Sequence, residues 1–275
     1  MSIYSEESLE VYEQCPLWYK YKYVDGIRRS VRSMEVFLKE IFQEIIHNIY
    51  VESRNEKVSL PIVRDHYLAL WTKKYKKVNI KADPEKKPAH YLDLGQKGIS
   101  NYLKRYRPFV QKSVLGVDKK IMVDLDGKGK YIVEGSIDVL VKASDGVYEI
   151  HENKLEEDIP EQEYFNKDRK LVLSQLGLQK MLPEAKRVSL VWYYPAKDKL
   201  YTRFIDKQQL LKTKKDSIEI IERIAQEKYY FPDECPVCVD CVYDDLCPKR
   251  KNFFNLKSML VRDGFQERSK MLELD

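Results

Sequence analysis

Cys235, Cys238, Cys241 and Cys247 stand in the run Cys-Pro-Val-Cys-Val-Asp-Cys-Val-Tyr-Asp-Asp-Leu-Cys-Pro, with gaps of two, two and five residues, while Cys15 stands alone near the N-terminus. Gaps so short and regular let thiolates on one loop converge on a single soft centre, zinc or an iron–sulfur cluster. Two ligand sets satisfy the spacing. The four C-terminal cysteines form a self-contained set, or Cys15 joins the centre and clamps the two ends of the chain together. In the second case everything between is built inside a clasp.

A second group lies in the middle of the chain, where Gly135-Ser136-Ile137-Asp138 is followed by Glu152-Asn153-Lys154. Strand side chains alternate, so Glu152 and Lys154 share one side, and Asp138 on the neighbouring strand can face Glu152. Two carboxylates at one locus repel, and a divalent cation relieves that repulsion. Mg²⁺ suits such a site because it accepts a few carboxylate or carbonyl oxygens and keeps several waters. A lysine beside it can orient an attacking water or steady charge on a phosphate. Charged residues at alternating strand positions also make an ordinary solvated sheet face. Against that stands the apolar company of Asp138 in Tyr-Ile-Val-Glu-Gly-Ser-Ile-Asp-Val-Leu-Val, where a buried acid needs a partner.

The elements that must position these residues follow from periodicity. Ser5 with Glu6 and Glu7 caps a helix running to about Gln14, stopped by Pro16. Phe37, Leu38, Ile41, Ile45, Ile46 and Ile49 recur at helical steps after Met34, and further helices are expected over 63–76 and 92–106, with 81–88 as a surface linker. After Pro108 the pattern turns to strands over 120–125, 131–141 and 147–154, with turns at Gly127-Lys128-Gly129 and Asp145-Gly146. One helix over 162–181 follows, then strands over 188–194 and 200–205. Asp206 then caps a helix with Gln209 as capping-box partner and Leu210, Leu211, Ile218, Ile221 and Ala225 as its apolar face. These elements predict an α/β fold with a helical N-terminal region packed on a mixed core. The expected division is 1–110 helical, 111–228 core, and 229–275 cysteine loop and basic tail.

With 275 residues and 43% hydrophobic residues, the chain can bury a real core and does not read as disordered. No apolar run approaches a membrane span and the start lacks a signal-peptide pattern, so a cytoplasmic protein is expected, where clustered cysteines ligate metal rather than form disulfides. Lys+Arg 49 against Asp+Glu 44 gives only +5, too mild to announce a nucleic-acid partner. Distribution says more. Cations interleave with rings at Lys73–Lys77, at Lys104–Arg107, and at Lys20 and Lys22 among Tyr19, Tyr21 and Tyr23, a pattern that can neutralise phosphates and stack bases. Each run alone is also what a solvated helix face looks like.

Taken together, the motifs resemble the RecB-type branch of the PD-(D/E)XK nuclease superfamily, most closely the CRISPR-associated exonucleases that carry an iron–sulfur cluster. The opening Leu9, Tyr12, then Cys15-Pro16-Leu17-Trp18-Tyr19-Lys20-Tyr21-Lys22-Tyr23-Val24-Asp25-Gly26 is similar to that family's cysteine-proline and aromatic segment. Gly135-Ser136-Ile137-Asp138 is similar to its metal-binding Asp motif, Glu152-Asn153-Lys154 to its Glu-x-Lys motif, and Gln175-Leu176 to its glutamine motif. Phe231-Pro232 and Cys238-x2-Cys241-x5-Cys247-Pro248 are similar to its C-terminal ligands.

The resemblance implies a restriction-endonuclease-like mixed sheet flanked by helices, with the cysteine cluster closing onto the N-terminal region. It implies a metal-dependent DNA exonuclease acting on single strands or ends. Asp138, Glu152 and the Asn153 carbonyl would hold Mg²⁺ or Mn²⁺, Lys154 would position the attacking water, and Gln175 would steady substrate or lysine. It implies a 4Fe–4S cluster on Cys15, Cys238, Cys241 and Cys247, with Cys235 spare, and a DNA path along Trp18, Tyr19, Lys20, Tyr21 and Lys22. Partners implied are an integrase or a helicase–nuclease complex, in spacer acquisition or repair. Two positions depart from the pattern. Gln43 stands where the family has a metal-binding histidine, leaving His47, Glu40 or Glu44 as substitutes, and Gln179 replaces a tyrosine. These departures also fit a catalytically weakened iron–sulfur DNA-binding adaptor.

Overall fold

The computed structural model of the protein describes residues 3–52, 58–81, 86–107, 109, 113–234, 238 and 241–249. Cys235 and the basic tail lie outside these residues. The chain divides into two compact units, one formed by residues 1–9 and 30–226, the other by 10–29 and 227–275.

The larger unit is built on a six-stranded mixed sheet. Its strands are β1 (Ile3–Ser5), β4 (Val114–Asp124), β5 (Ile132–Ser144), β6 (Val147–Asn153), β7 (Arg187–Tyr194) and β8 (Lys199–Phe204). The order is β1-β5-β6-β7-β8, with β4 also paired to β5; a two-residue pair, β2 (Val31–Arg32) and β3 (Asn79–Ile80), stands apart. β4, β5 and β6 form an antiparallel meander, β7 returns parallel to β6, and β8 closes antiparallel on β7. β7 is buried along Val188–Tyr194, which is why it reads as a continuous apolar run rather than an alternation.

The register of β5 prepares the site. β4 covers one edge of β5 from 132 to 141. On the opposite edge β1 pairs in parallel with 132–134, and β6 pairs only from Val139 onward. Residues 135–138 are left between two strand ends, and Asp138 lies in that gap.

Helices α3 (Met34–Glu52), α4 (Leu60–Tyr75) and α5 (Pro88–Tyr106) pool their apolar faces in one cluster that extends to Val139, Leu155 and Tyr193. The isoleucines at three- and four-residue steps of α3 supply its centre, all at most 3% exposed. Gly95 of α5 is small by necessity: a Cβ there would meet the Tyr67 hydroxyl and come within 2.8 Å of Leu38 Cδ1. α7 (Arg169–Met181) packs on β4 at Gly177, where a Cβ would stand 3.1 Å from Ile121 Cδ1 and Val123 Cγ2.

Several elements differ from the sequence pattern. The first helix, α1 (Glu6–Gln14), ends where the sequence places its end, but Pro16 then opens another: Cys15 is the N-cap of α2 (Pro16–Tyr19), with Pro16 at its first position, where a missing N–H costs nothing. The single helix expected over 162–181 is two, α6 (Gln162–Lys167) and α7, because the Asp168 carboxylate turns aside to accept the Leu171 N–H and cap α7. In α8 (Lys207–Gln226) the buried stripe is Ser217, Ile220, Ile221 and Ile224, while Leu211 is 55% exposed and Ala225 is exposed. Asp206 accepts the Gln209 N–H at 2.8 Å, but the Gln209 side chain donates to the Asn166 carbonyl instead of closing a capping box. The strand β1, too short for a period to show, was not expected.

In the smaller unit, Pro16–Tyr19 continues into a π-helical turn over Lys20–Val24. The N-terminal segment is tied to residues 227–249 through backbone and side chain: Leu17 N donates to Phe231 O at 3.2 Å, and Tyr12 Oη to Glu227 at 2.8 Å. The Tyr21 and Tyr243 hydroxyls donate to Leu246 O and Ile27 O, and Arg29 pairs with Asp245 at 2.7 Å.

Candidate functional site

Asp138 is brought to β6 by a hydrogen bond rather than by the ladder. Its Oδ2 accepts the Asn153 backbone N–H at 2.9 Å, and its Oδ1 accepts Gln43 Nε2 from α3 at 3.3 Å. Both carboxylates are buried, Asp138 at 4% exposure and Glu152 at 1%. Lys154 Nζ stands 3.2 Å from Glu152 Oε1 and also meets the Tyr164 hydroxyl at 3.4 Å. Asp138, Glu152, Asn153 and Lys154 thus share one locus at the end of the β5–β6 hairpin.

Two further lysines reach the same carboxylate. Lys170, from the first turn of α7, places Nζ 2.8 Å from Glu152 Oε1 and 3.9 Å from Asp138 Oδ1, and Lys39 of α3 lies 3.8 Å from Glu152. Burial alone would raise the Glu152 pKa; Lys170, then Lys154 and Lys39, more than offset it and hold the carboxyl well below the usual range. Burial likewise opposes charge on Lys154, but Glu152 outweighs it and the amine is held protonated, above its ordinary value. It is a cation, suited to orienting and stabilising rather than to removing a proton.

Glu6, the first residue after β1, is the acid that sequence pattern placed only in a helix N-terminal turn. The parallel pairing of β1 with β5 carries its carboxylate over Gly135, where a Cβ would overlap it, and Ser174 Oγ donates to it at 3.4 Å. Burial, with Glu152 and Asp168 adding and Lys170 opposing, pushes its pKa up to about 8. Glu6, Lys39 and Lys170 are members of the site that the motifs did not reveal. The signal for Glu6 was the adjacent Gly135, the residue needed wherever another group crosses a strand closely.

Gln175 on α7 is 3% exposed and its Oε1 has no hydrogen-bond partner among the described residues. His47 lies one turn beyond Gln43 and its Nδ1 pairs with Asp118 at 3.1 Å; burial and then Asp138 raise the Asp118 pKa, so this pair stands within electrostatic reach of the Asp138 carboxylate. Glu40 and Glu44 are taken by Arg32 and Lys74. Gln179 donates to Ala185 O at 3.4 Å.

Among the described residues no three His, Cys, Asp or Glu side chains are gathered as a ready metal site. The donors at Glu152 nevertheless fit a hard cation with few protein ligands. Glu152 Oε2 is buried without a hydrogen-bond partner among the described residues, beside a second carboxylate and a backbone segment.

In the smaller unit Cys15, Cys238, Cys241 and Cys247 are half-buried. Burial raises the Cys241 pKa, a hydrogen bond from the Tyr243 backbone opposes this, and Cys15 and Cys238 raise it further, but the described cysteines are not gathered as a ready metal site. The aromatic-basic segment serves packing more than was expected. Tyr19 is 6% exposed, edge-on to Tyr12 and close to Tyr23 and Tyr230, so no ring face remains for a base. Tyr21 packs on Tyr243, Lys20 pairs with Asp25 at 2.5 Å, Lys22 sits 5.2 Å from the Tyr23 centroid, and Trp18 is half-buried. In the other two basic runs Tyr75 stacks on Trp71, Tyr106 packs edge-on to Tyr193, and Arg105 pairs with Asp198. The rings of those runs pack, while Lys73, Lys76, Lys77 and Lys104 are exposed. No helix among the described residues is long and apolar enough to cross a membrane.

The model of the PD-(D/E)XK nuclease superfamily matches residues 4–248. No curated protein matches the chain. Among solved structures, a candidate exonuclease from Eubacterium rectale is similar at TM-score 0.49 and 12% identity, covering 89% of this chain and 86% of that one. The protein SSO0001 is similar at TM-score 0.33 and 12% identity, covering 88% and 93%. Likenesses at these scores fix neither fold nor activity.

Proposed function

The chain belongs to the PD-(D/E)XK nuclease superfamily, and from that premise we propose that it is a metal-dependent deoxyribonuclease of the RecB type, an exonuclease on single-stranded or end-containing DNA. The observation that carries this reading is the Asp138–Glu152–Lys154 group, two buried carboxylates and a lysine 3.2 Å from one of them, with Glu152 Oε2 unpartnered. Nucleases of this superfamily generally use divalent metals such as Mg²⁺. Asp138, Glu152 and the Asn153 carbonyl would hold Mg²⁺ or Mn²⁺. Such an ion, when bound, supplies Lewis-acid polarisation of the phosphoryl group and lowers the pKa of water.

The chain's own residues do the rest. Gln43 and the Asn153 N–H fix the Asp138 carboxylate in one orientation. Lys154, held protonated by Glu152, orients the attacking water and balances charge growing on the phosphate. Tyr164 keeps that ammonium in place, and Gln175 offers its unpartnered Oε1 to the water or the lysine. Burial of both carboxylates excludes bulk water and strengthens each of these interactions.

We propose a 4Fe–4S cluster on Cys15, Cys238, Cys241 and Cys247, supported by the cysteine spacing and by their place in one compact unit. Strand binding falls to Lys20, Lys22 and Trp18, and a cluster of this kind would suit a reducing cytoplasm. An integrase or helicase–nuclease complex, in spacer acquisition or repair, is the fitting partner. A second reading, a cluster-bearing DNA-binding adaptor, is favoured by Gln43, which caps Asp138 where a ligand histidine is expected. One anaerobic preparation decides between them: iron and sulfide are measured, and end-labelled single-stranded DNA is incubated with and without Mn²⁺. Mn²⁺-dependent shortening supports the nuclease, binding without cleavage supports the adaptor, and zinc in a colourless protein removes the cluster.

A further inference from the structure

Lys170 reaches both carboxylates of the proposed centre. Its Nζ is 2.8 Å from Glu152 Oε1 and 3.9 Å from Asp138 Oδ1, and it comes from a different element, the first turn of α7, than the Glu-x-Lys lysine. A divalent ion held by the same two carboxylates would sit about 2.0–2.1 Å from their oxygens. An ammonium and a divalent ion cannot both occupy that space, since like charges a few ångströms apart at a buried site repel strongly.

Removing Lys170 does not strand Glu152, because Lys154 and Lys39 remain within 3.2 and 3.8 Å of it. Lys170 is therefore not needed merely to balance that charge. Its side chain is 25% exposed, so part of it already borders solvent.

Resting on the nuclease reading above, we propose that Lys170 is an internal counter-ion latched on Asp138 and Glu152, which a divalent cation displaces and which then meets a phosphate of the bound strand. Two consequences follow. Cation and DNA bind cooperatively, because the displaced ammonium, otherwise left in solvent, gains a phosphate partner. Lys170 is a positioning residue toward the metal, distinct in effect from Lys154.

The test reads binding rather than turnover. Mn²⁺ affinity is measured by calorimetry and electron paramagnetic resonance, with and without a phosphorothioate single strand that resists cleavage. The wild type is expected to bind Mn²⁺ roughly tenfold tighter with the strand than without it, a coupling of ordinary size. Lys170→Met is expected to bind Mn²⁺ roughly tenfold tighter than wild type without DNA and to lose the coupling, with Lys170→Arg restoring it. In the wild type, mass-spectrometric labelling of amines should show Lys170 protected without metal and reactive once Mn²⁺ is added. Unchanged or weaker Mn²⁺ affinity in Lys170→Met, or a Lys170 amine indifferent to Mn²⁺, overturns the latch. Asp138→Asn separates the two levels. If it leaves Mn²⁺ binding intact, the metal site itself is misplaced and both readings fall; if it abolishes binding while Lys170→Met changes nothing, only the latch falls.

Discussion

Glu6→Gln should stabilise the protein at pH 8 more than at pH 5. In the folded chain burial chiefly lifts the Glu6 carboxyl from 4.5 to about 8, against the pull of Lys170. The unfolded chain releases the same proton near 4.5. Between those values the unfolded state binds fewer protons, so wild-type stability falls as pH rises and levels off above about 8. At about 1.4 kcal/mol per unit, the full gap corresponds to about 5 kcal/mol. Glu6 is only half-buried, and solvent screening reduces this to about 2 kcal/mol. In a unit of this size that is a melting-temperature difference of about 4–8 °C. Glutamine keeps an acceptor for Ser174 and does not titrate, so the gap between variant and wild type should open from pH 5 to pH 8. Thermal melts in chelator across that range measure it. Parallel pH profiles for the two proteins would refute the placement of Glu6 over Gly135, as would a wild type that gains on the variant with rising pH.

Gly135→Ala should push the Glu6 carboxylate out of the site at little cost, since only the far end of a flexible side chain has to move, and the difference between Glu6 and Glu6→Gln in the pH profile should vanish in that background. Asp138→Ala should abolish metal-dependent cleavage and, by orphaning the buried Asn153 N–H, also cost about 1–3 kcal/mol; Lys154→Ala should abolish cleavage as well. Wild-type cleavage in either would remove the site. On the proposed cluster assignment, Cys15→Ser should bleach the protein and lower the melting temperature, because ligation closes a long loop and carries folding energy, whereas Cys235→Ser should leave colour and stability unchanged. The reverse pattern would assign the cluster to the C-terminal loop alone.

The β5–β6 hairpin that carries the candidate site was legible because its signals are local. Apolar runs give the strands, Asp145-Gly146 gives the turn, and alternation puts Glu152 and Lys154 on one side. Glu6, Lys39 and Lys170 were not, since each reaches the site only through long-range pairing. Three residues of β1 carry no period, yet their register on 132–134 delivers Glu6 to Gly135. Asp168 broke the expected helix for a similar reason: a mid-helix aspartate and an N-cap look alike until Trp192, from a distant strand, donates to its carboxylate at 2.7 Å. Tyr19 was misjudged because interleaved aromatics and cations describe a core edge as well as a stacking surface, and only Tyr12, Tyr23 and Tyr230 decide which.

The central claim is that Asp138 and Glu152 hold the ion on which DNA cleavage depends, and Glu152→Gln tests it most directly. The substitution preserves shape but removes the charge that draws Lys154, Lys170 and Lys39 together. Single-turnover cleavage of end-labelled single-stranded DNA is followed over a Mn²⁺ titration, with the cluster absorbance recorded in the same samples. The variant should keep its cluster and its DNA affinity while cleavage falls by at least about a hundredfold at every Mn²⁺ concentration. Cleavage at the wild-type rate, with the wild-type Mn²⁺ midpoint, would contradict it.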